Sequence, residues 1–582
     1  INKSAANGSA SNFVSTAEYV LHSKDVGDGV RIPVLRDLPH ATEQSASNLR
    51  TSLPWLLDKT AYEQCMPRRD ANGCPHAKMS HEFVEQLERH GVVRQIQRRE
   101  VRGHVRMFTV AEHFKKRFRP IKHTVEINDV FGKESLRKCK LVSKKEICHL
   151  VNKGPFFAQF DFKAWYDQLK YGPGVGEFAC FRSGGKFYCL DRLAMGQRQA
   201  VEVAQAVTEY LLDFPGRRCV AHAVIDNVIF VGEFDDVRHD VQIFLERCER
   251  VHALINDAEE IQERGIESCI QSSGEWCGVH LDLVAKSVKL TAKTAEKFHI
   301  SWGNRQIWTW RQFAAHIGLL FWTWGILDVP VHDYYPLLRF ISGAGRRLQQ
   351  DESLWDVAAV IDPAAMAVIA AWTALAIANK SRTVKESSAP TWFICTDASK
   401  WGWGYVALNV DTGEIRCHGH HWTRAQLCSI FSRNGIHKIK KSVYSEPLAV
   451  YFSLCHLLKS DEPKTMHFAK EISENLRTKI HVATDNSSAC HTMNRGFASR
   501  SFDINAQIQN LRKAFPESEF DIDLSFVPGW MNPADELSRG GGDSNVNAGL
   551  GKTVESFQRV WGDVVNFTHD NFTGSAENGH LK

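Results

Sequence analysis

The sequence predicts an α+β chain with more than one core. Three observations lead there. Strand-like and helix-like segments are mixed rather than strictly alternating. A polar, proline-ended stretch, "NKSRTVKESSAP", interrupts the pattern at 379–390, and a fresh run of strands begins after it. At 582 residues the chain also has room for several domains of about 100–200 residues each.

Along the chain, the first sixty residues are rich in Ser, Asn and Ala with little periodicity, so a loosely ordered extension is expected. "HEFVEQLERHGVV", from His81, has helical spacing and a stop at Gly91. "VRMFTVAEH", "FFAQFDF", "FACFRSGGKFYCL" and "AVIDNVIFV" read as strands, the third folded into a hairpin at Gly184–Gly185. Helices are expected over 198–212 and 236–262, and a helical region over 291–380. After the polar stretch the order is β-β-β-α-β-α-β, with the first of those helices near 446–458.

Composition excludes a few classes. The apolar fraction of 43% and charged fraction of 24% are those of an ordinary globular protein. The net charge of +4 says nothing about partners, but its distribution does. Residues 91–123 hold ten Lys or Arg against Glu100 and Glu112. That stretch reads as a solvated face or as a footprint for phosphates, and the interleaved Phe108, Phe114 and Phe118 favour the second. Fifteen cysteines without a C-x-x-C pair suggest reduced thiols inside a cell. Cys65, Cys74, His76 and His81 fit no common zinc-finger spacing. The apolar run from Ala364 is shorter than the ~20 residues of a membrane helix, so a buried helix and no membrane partner are expected. With no signal-peptide pattern, an intracellular protein, cytoplasmic or nuclear, is expected; a start at Ile1 suggests a fragment or processed product.

Two places carry chemistry. In "FFAQFDFKAWYDQL" and "AVIDNVIFVG", Asp161 and Asp226 each interrupt a β-rich apolar run. A buried carboxylate is costly unless paired. Two strands delivering acids to one sheet end would make a site for two Mg2+ ions, hard cations that prefer oxygen ligands. The second place is a series of four acids. Asp397 ends the strand in "ICTDASKWGWGYV", Glu446 opens a helix in "YSEPLAVYFSL", Asp485 follows "IHVATDN", and Asp535 lies in "VPGWMNPADELSRG". Individually each has a plain alternative, Glu446 simply favouring a helix dipole and Asp535 serving as a turn acid.

These residues carry a resemblance to reverse transcriptases. Asp161 with Tyr166 five residues on resembles motif A, "RLAMGQRQAV" motif B, and "VIDN" motif C, whose common form is Tyr-x-Asp-Asp. "FTVAEHFKKRFRPIKHTVEIN" resembles the fingers motif, with Arg119 and Asn128 at matching spacing, and "WCGVHLDL" the primer-gripping turn. "FAAHIGLLFWTWGILDVP" is similar to the thumb and connection of retrotransposon enzymes. The four later acids on their three-strand, helix, strand, helix, strand frame resemble ribonuclease H, and "NPADELSR" resembles the N-x-x-A-D-x-L-S-R tail of retrotransposon ribonuclease H domains. Tail and thumb look most like the tyrosine-recombinase retrotransposons of the DIRS order, including the VIPER elements, over residues 85–540.

The resemblance implies a right-hand polymerase of fingers, palm and thumb followed by an α/β ribonuclease H-like domain. The expected division is an extension (1–60), fingers and palm (61–288), helical thumb or connection (289–380), linker (381–390), ribonuclease H-like domain (391–540) and C-terminal extension (541–582). It further implies an RNA-directed DNA polymerase with ribonuclease H activity, using two Mg2+ (or Mn2+) ions at each site. Asp161 and Asp226, with the Phe162 carbonyl, would hold one pair, and Asp397, Glu446, Asp485 and Asp535 the other. Lys115 or Lys116 with Arg119 would neutralise the triphosphate, Tyr166 would exclude a ribose 2′-OH, and Met195 and Gly196 would lie against the nascent base pair. Implied partners are an RNA template, a DNA primer, an RNA/DNA hybrid and deoxynucleoside triphosphates, with a retroelement-encoded recombinase and coat-like protein beyond them. Departures from the pattern are Ala194, Val201, Val224 and Asn227; the last replaces motif C's second acid and removes one charge. Two other readings stay open: a nuclease with an inactive polymerase half, and a non-catalytic nucleic-acid-binding scaffold.

Overall fold

The computed structural model describes residues 20–112, 115–130, 139, 141–303, 308–329, 334–428, 438–459, 476–496, 501–517 and 519–539. The chain divides into two compact units, Ile1–Val284 and Ala285–Lys582.

At the centre of the first unit is a three-stranded antiparallel sheet in which Asn227–Gly232 lies between Phe156–Asp161 and Val220–Val224. The helices Arg198–Leu212 and Phe234–Val251 pack on it. Phe160, Phe230 and Phe244 interlock at the contact, with ring centroids 5.4–6.3 Å apart. Aromatic edges and faces at such separations add to simple area burial. A second antiparallel sheet joins Val93–Ile96 to the hairpin Cys180–Ser183 and Lys186–Leu190, which turns at Gly184–Gly185. A third pairs Arg106–Glu112 with Arg117–His123, and Val20–Leu21 adds to it in parallel.

In the second unit, helices Ala292–Gly303, Trp310–Leu327, Tyr335–Gln350 and Pro363–Ala378 come first. His316 is buried among them, bonded to Ser301 Oγ at 2.8 Å and Thr373 Oγ1 at 2.9 Å. Burial pushes its imidazole down to about 4. A five-stranded sheet follows, in the order Ile415–His421, Gly402–Asn409, Glu386–Ala398, Leu476–Thr484, Phe520–Phe526. The first three strands are antiparallel and the last two join in parallel. Side chains alternate across this sheet as the strand period requires. Ile394, Tyr405 and Val482 face the helices Ser442–Lys459 and Phe502–Ala514, whereas Cys395, Val406 and Ala483 face Met531 and Leu537 on the other side.

Several expectations are corrected. Within 20–60 the chain is not a loose extension but carries helices Ile32–Arg36, Glu43–Ser52 and Pro54–Leu57, with a further helix, Lys59–Cys65, at its end. They are short, so they show little periodicity, yet Leu35, Leu49 and Leu56 reach the core. Residues 381–390 are not a linker: Arg382–Thr383 is a strand, and 386–390 begin the central strand Glu386–Ala398, in parallel register with Leu476–Thr484. The run 223–232 is two strands around a turn, and 236–262 is two helices, since His252 ends the first in the left-handed region at φ +60°. Two helices, Ser487–Arg495 and Phe502–Ala514, occupy the place expected for one. No disulfide joins the described cysteines, and no described helix is long and apolar enough to cross a membrane. Residues 541–582 and Phe114 lie outside the described residues.

Candidate functional site

In the first unit, Asp161 ends its strand directly opposite Asn227 in the antiparallel register. Asp226 sits in the tight turn between the other two strands, whose last pair is Val224 and Asn227. That turn needs a positive φ at its first central residue, a place normally given to glycine. Ile225 takes it at φ +61°. A β-branched residue there is strained. The strain is held by the helix Arg198–Leu212: the Ile225 N–H donates to Gln205 Oε1 at 2.6 Å, and Thr208 Oγ1 donates to the Ile225 carbonyl at 2.6 Å. Gln205 and Thr208 are buried polar residues of that helix, as are Gln199 and Glu202. Their oddity was the available sequence signal for this support.

The acids are electrostatically loaded. Burial, then the neighbouring Asp226 carboxylate, pushes Asp161 up to about 6, against the hydrogen bond from Asn256 Nδ2 at 2.6 Å. Burial also raises Asp226, which accepts from Asn227 Nδ2 at 3.0 Å. Lys24 Nζ in turn donates to Asn256 Oδ1 at 2.8 Å. No spacing in the sequence links Asn256 or Lys24 to Asp161. Phe162 is buried, and its N–H donates to the Asp226 carbonyl at 2.9 Å. Tyr166 packs against the core, and burial and Asp226 together raise its phenol to about 12.

The remaining candidates lie on neighbouring elements. Lys115 and Lys116 are exposed at the turn between Arg106–Glu112 and Arg117–His123. Arg119 pairs with Glu112 at 2.9 Å, while its Nε is buried without a partner among the described residues. Met195 is 54% exposed, on a segment braced from beneath by Tyr171 Oη and Gln197 Oε1 at 2.8 Å. Gly196 adopts φ +101°, which a side chain would resist. Its carbonyl accepts from Asn128 Nδ2 at 2.8 Å, and Asn128 Oδ1 accepts from the Arg198 N–H at 2.9 Å. Asn128, on the helix Val125–Val130 that follows the candidate triphosphate strand, thus fastens to this segment, and Lys122 of the strand itself pairs at 2.5 Å with Asp167, next to Tyr166, a contact the sequence does not single out.

In the second unit, the carboxylates of Asp397, Glu446 and Asp485 each offer an oxygen within 4.8 Å of the others. No other set of three or more His, Cys, Asp or Glu among the described residues does so, the Cys65/Cys74/His76/His81 set included. Asp397 and Asp485 stand at or just beyond the ends of adjacent parallel strands. Glu446 arrives on the helix Ser442–Lys459 and is held by the Ala398 N–H (3.2 Å) and Thr484 Oγ1 (2.9 Å). Burial first, and the neighbouring acids second, raise all three: Asp397 is pushed up to about 6, while a Ser538 hydroxyl donating to it opposes the shift. Like charges crowded in a buried oxygen cage favour a hard divalent cation. Asp535 is not one of the three. It pairs with Arg539 at 2.7 Å and acts on Asp397 and Asp485 through its charge.

The turn bearing Asp535 reaches the sheet because Gly404 has no side chain. A Cβ there would stand 2.6 Å from Leu537 Cβ and 3.0 Å from the Ser538 nitrogen. Asn532 pins the approach, donating to the Thr396 carbonyl at 2.9 Å and accepting from the Ala534 N–H at 3.1 Å.

No protein-family model and no curated protein matches the chain. Among solved structures it is similar to the foamy viral protease-reverse transcriptase dRH in complex with double-stranded DNA, at 10% identity, 87% coverage of this chain, 84% of that chain and a TM-score of 0.43. It is also similar to the foamy viral protease-reverse transcriptase in complex with double-stranded DNA (10% identity, 85% and 98% coverage, TM-score 0.41). The same protein in complex with an RNA/DNA hybrid gives 11% identity, 84% and 62% coverage, and a TM-score of 0.41. These likenesses are weak in sequence and in superposition, so the roles below rest on the acids' own geometry.

Proposed function

We propose that the chain is an RNA-directed DNA polymerase with a ribonuclease H activity, of the kind retrotransposons of the DIRS order use. One observation carries most of it: an oxygen cage of Asp397, Glu446 and Asp485, in a chain whose other acid pair, Asp161 at a strand end and Asp226 in the adjoining turn, lies at one end of a sheet. Two divalent ions bound at each site, Mg2+ or Mn2+, would lower the pKa of the attacking oxygen and offset charge on the displaced one.

The protein's own groups do the rest. Asp161 and Asp226, with the Phe162 carbonyl, would hold the ions at the primer end, and the Gln205 and Thr208 bonds fix the turn that presents Asp226. Arg119, whose Nε has no partner among the described residues, and Lys115 or Lys116 would neutralise the triphosphate charge. Tyr166 and the Met195–Gly196 segment limit the deoxynucleotide pocket. In the second unit, Ser538, Thr484 and the Ala398 N–H orient the cage carboxylates, while Asp535 completes the negative field. An RNA strand paired with DNA would be selected by its 2′-OH groups in a wide minor groove.

A second reading is favoured by one observation. The cage collects three carboxylates, whereas the first site has Asn227 where a third would stand. On that reading the chain is a ribonuclease H-type nuclease with a silent polymerase half. Primer extension on an RNA template, run beside cleavage of an RNA/DNA hybrid, separates the two. Both activities support the first reading, and cleavage without extension selects the second. Neither activity in a folded sample would leave a nucleic-acid-binding scaffold.

A further inference from the structure

Four arginines, Arg68, Arg69, Arg98 and Arg99, wall one cavity of about 580 Å³ in the first unit. Asp70, Ala71 and Val101 complete its lining. The two pairs are some thirty residues apart in sequence and are joined by the fold. The Arg69 N–H donates to the Arg102 carbonyl at 2.9 Å, His104 Nε2 meets the Asp70 carbonyl at 3.0 Å, and Arg98 donates to Asn72 Oδ1. Each pair adjoins a short 3-10 turn with its own cap. Asp70 accepts from the Asn72 N–H at 3.0 Å, and Glu100 Oε2 accepts from the Gln97 N–H at 2.6 Å.

The charge is not balanced from within. Asp70, the one carboxylate of the lining, is already engaged by Asn72 through both its N–H and its Nδ2, the latter at 2.7 Å. Arg69 shares Glu126 at 3.4 Å with Arg106. Among the described residues, Arg68 and Arg99 have no ion-pair partner, and both are exposed. Four guanidinium groups against one lining carboxylate leave an excess of positive charge, which favours phosphate, whose oxygens match their forked donors. The lining holds no aromatic ring on which a base could stack. Its volume falls in the range of about 300–1,000 Å³ seen for whole small-ligand sites.

We propose that this cavity binds successive backbone phosphates of a nucleic-acid strand, without reading its sequence. A free polyphosphate offers the same oxygens, so the test separates the two sources. The proposal does not require either acidic site to be active.

The test uses the full chain and the double variant Arg68→Ala/Arg99→Ala, with binding to a labelled primer–template duplex followed by fluorescence anisotropy over a salt series. Each phosphate contact contributes about 0.7–0.9 to the slope of log K against log salt. The double variant is expected to lose about 1.4–1.8 in slope and roughly tenfold in affinity at low salt. An unchanged slope and affinity would overturn the proposal. Retained duplex binding with loss of inorganic tripolyphosphate binding, read by calorimetry, would overturn the nucleic-acid assignment in favour of a small polyphosphate. Should the double variant not fold, Arg99→Gln alone decides, with an expected slope change of about 0.7–0.9. Wild-type protein lacking both catalytic activities, but with the slope change intact, would defeat the proposed function and leave this site standing.

Discussion

Asp161 and Asn227 are the last cross-strand pair of the antiparallel ladder that carries the first site. An amide therefore faces the strand-end acid, and it donates to Asp226 at 3.0 Å where a carboxylate would instead add charge. Asn227→Asp should tighten metal binding and raise primer extension at limiting Mg2+ by about 3–10-fold, roughly 1 kcal/mol in barrier. A Mg2+ titration of extension rate checks this. Identical curves for the two proteins would mean that position 227 does not sense the metals.

The cage in the second unit should make stability depend on pH in a definite direction. Burial, with Asp485 and Asp535 adding to it, raises Asp397 to about 6 from 3.8. The folded state then binds this proton more tightly than the unfolded chain does. Its stabilising contribution is complete below about pH 4 and is lost as pH rises through about 6. In metal-free protein, Asp397→Asn should raise the melting temperature at neutral pH, by about 2–4 °C per kcal/mol relieved, with the gain vanishing near pH 4. Mg2+ should raise the wild-type melting temperature at neutral pH by more than it raises the variant's, which keeps only the Asp161 and Asp226 site intact. Melting curves on both proteins at the two pH values provide the check, and a variant that melts lower at neutral pH would contradict it.

Gly404→Ala tests the cage from behind, without touching an acid. The added methyl would collide with Leu537 and the Ser538 backbone, displacing the turn that supplies the Ser538 hydrogen bond to Asp397. Misplacement of about 1 Å can cost about a hundredfold in rate. Hybrid cleavage is expected to fall about 10–100-fold, with primer extension unaffected. Measuring both activities on one preparation checks this.

Tyr166 packs against the first unit's core with Asp226 close enough to perturb its phenol. Tyr166→Val should open space for a ribose 2′-OH and raise ribonucleotide over deoxynucleotide incorporation, by about 10–100-fold on the scale of hydroxyl discrimination. Competing incorporation of the two nucleotide types gives the ratio directly. No change in that ratio would remove Tyr166 from the nucleotide pocket.

Local pattern explains what was legible beforehand. Asp161, Asp226, Asp397 and Asp485 stood out because a charge interrupts or ends an apolar run, and the helix at 198–212 has the bounds expected for it. Support from a distance was not legible. Asn256 reaches Asp161 across 95 positions, and Arg98 meets Asn72 across 26. The polar stretch 379–390 read as a linker because its composition suits one, yet 386–390 are strand. Parallel pairing with Leu476–Thr484 decides that, and no local signal contains it. The short helices between Ile32 and Cys65 were missed for a related reason: one or two turns each give little period to detect.

The most direct test of the central claim is a reciprocal separation of the two activities. Wild type, Asp226→Ala and Asp397→Asn are assayed together for primer extension on an RNA template and for cleavage of an RNA/DNA hybrid, in Mg2+ and in Mn2+. Wild type should do both, Asp226→Ala should cleave without extending, and Asp397→Asn should extend without cleaving. Extension retained by Asp226→Ala, or cleavage retained by Asp397→Asn, would contradict the assignment of two independent acidic sites.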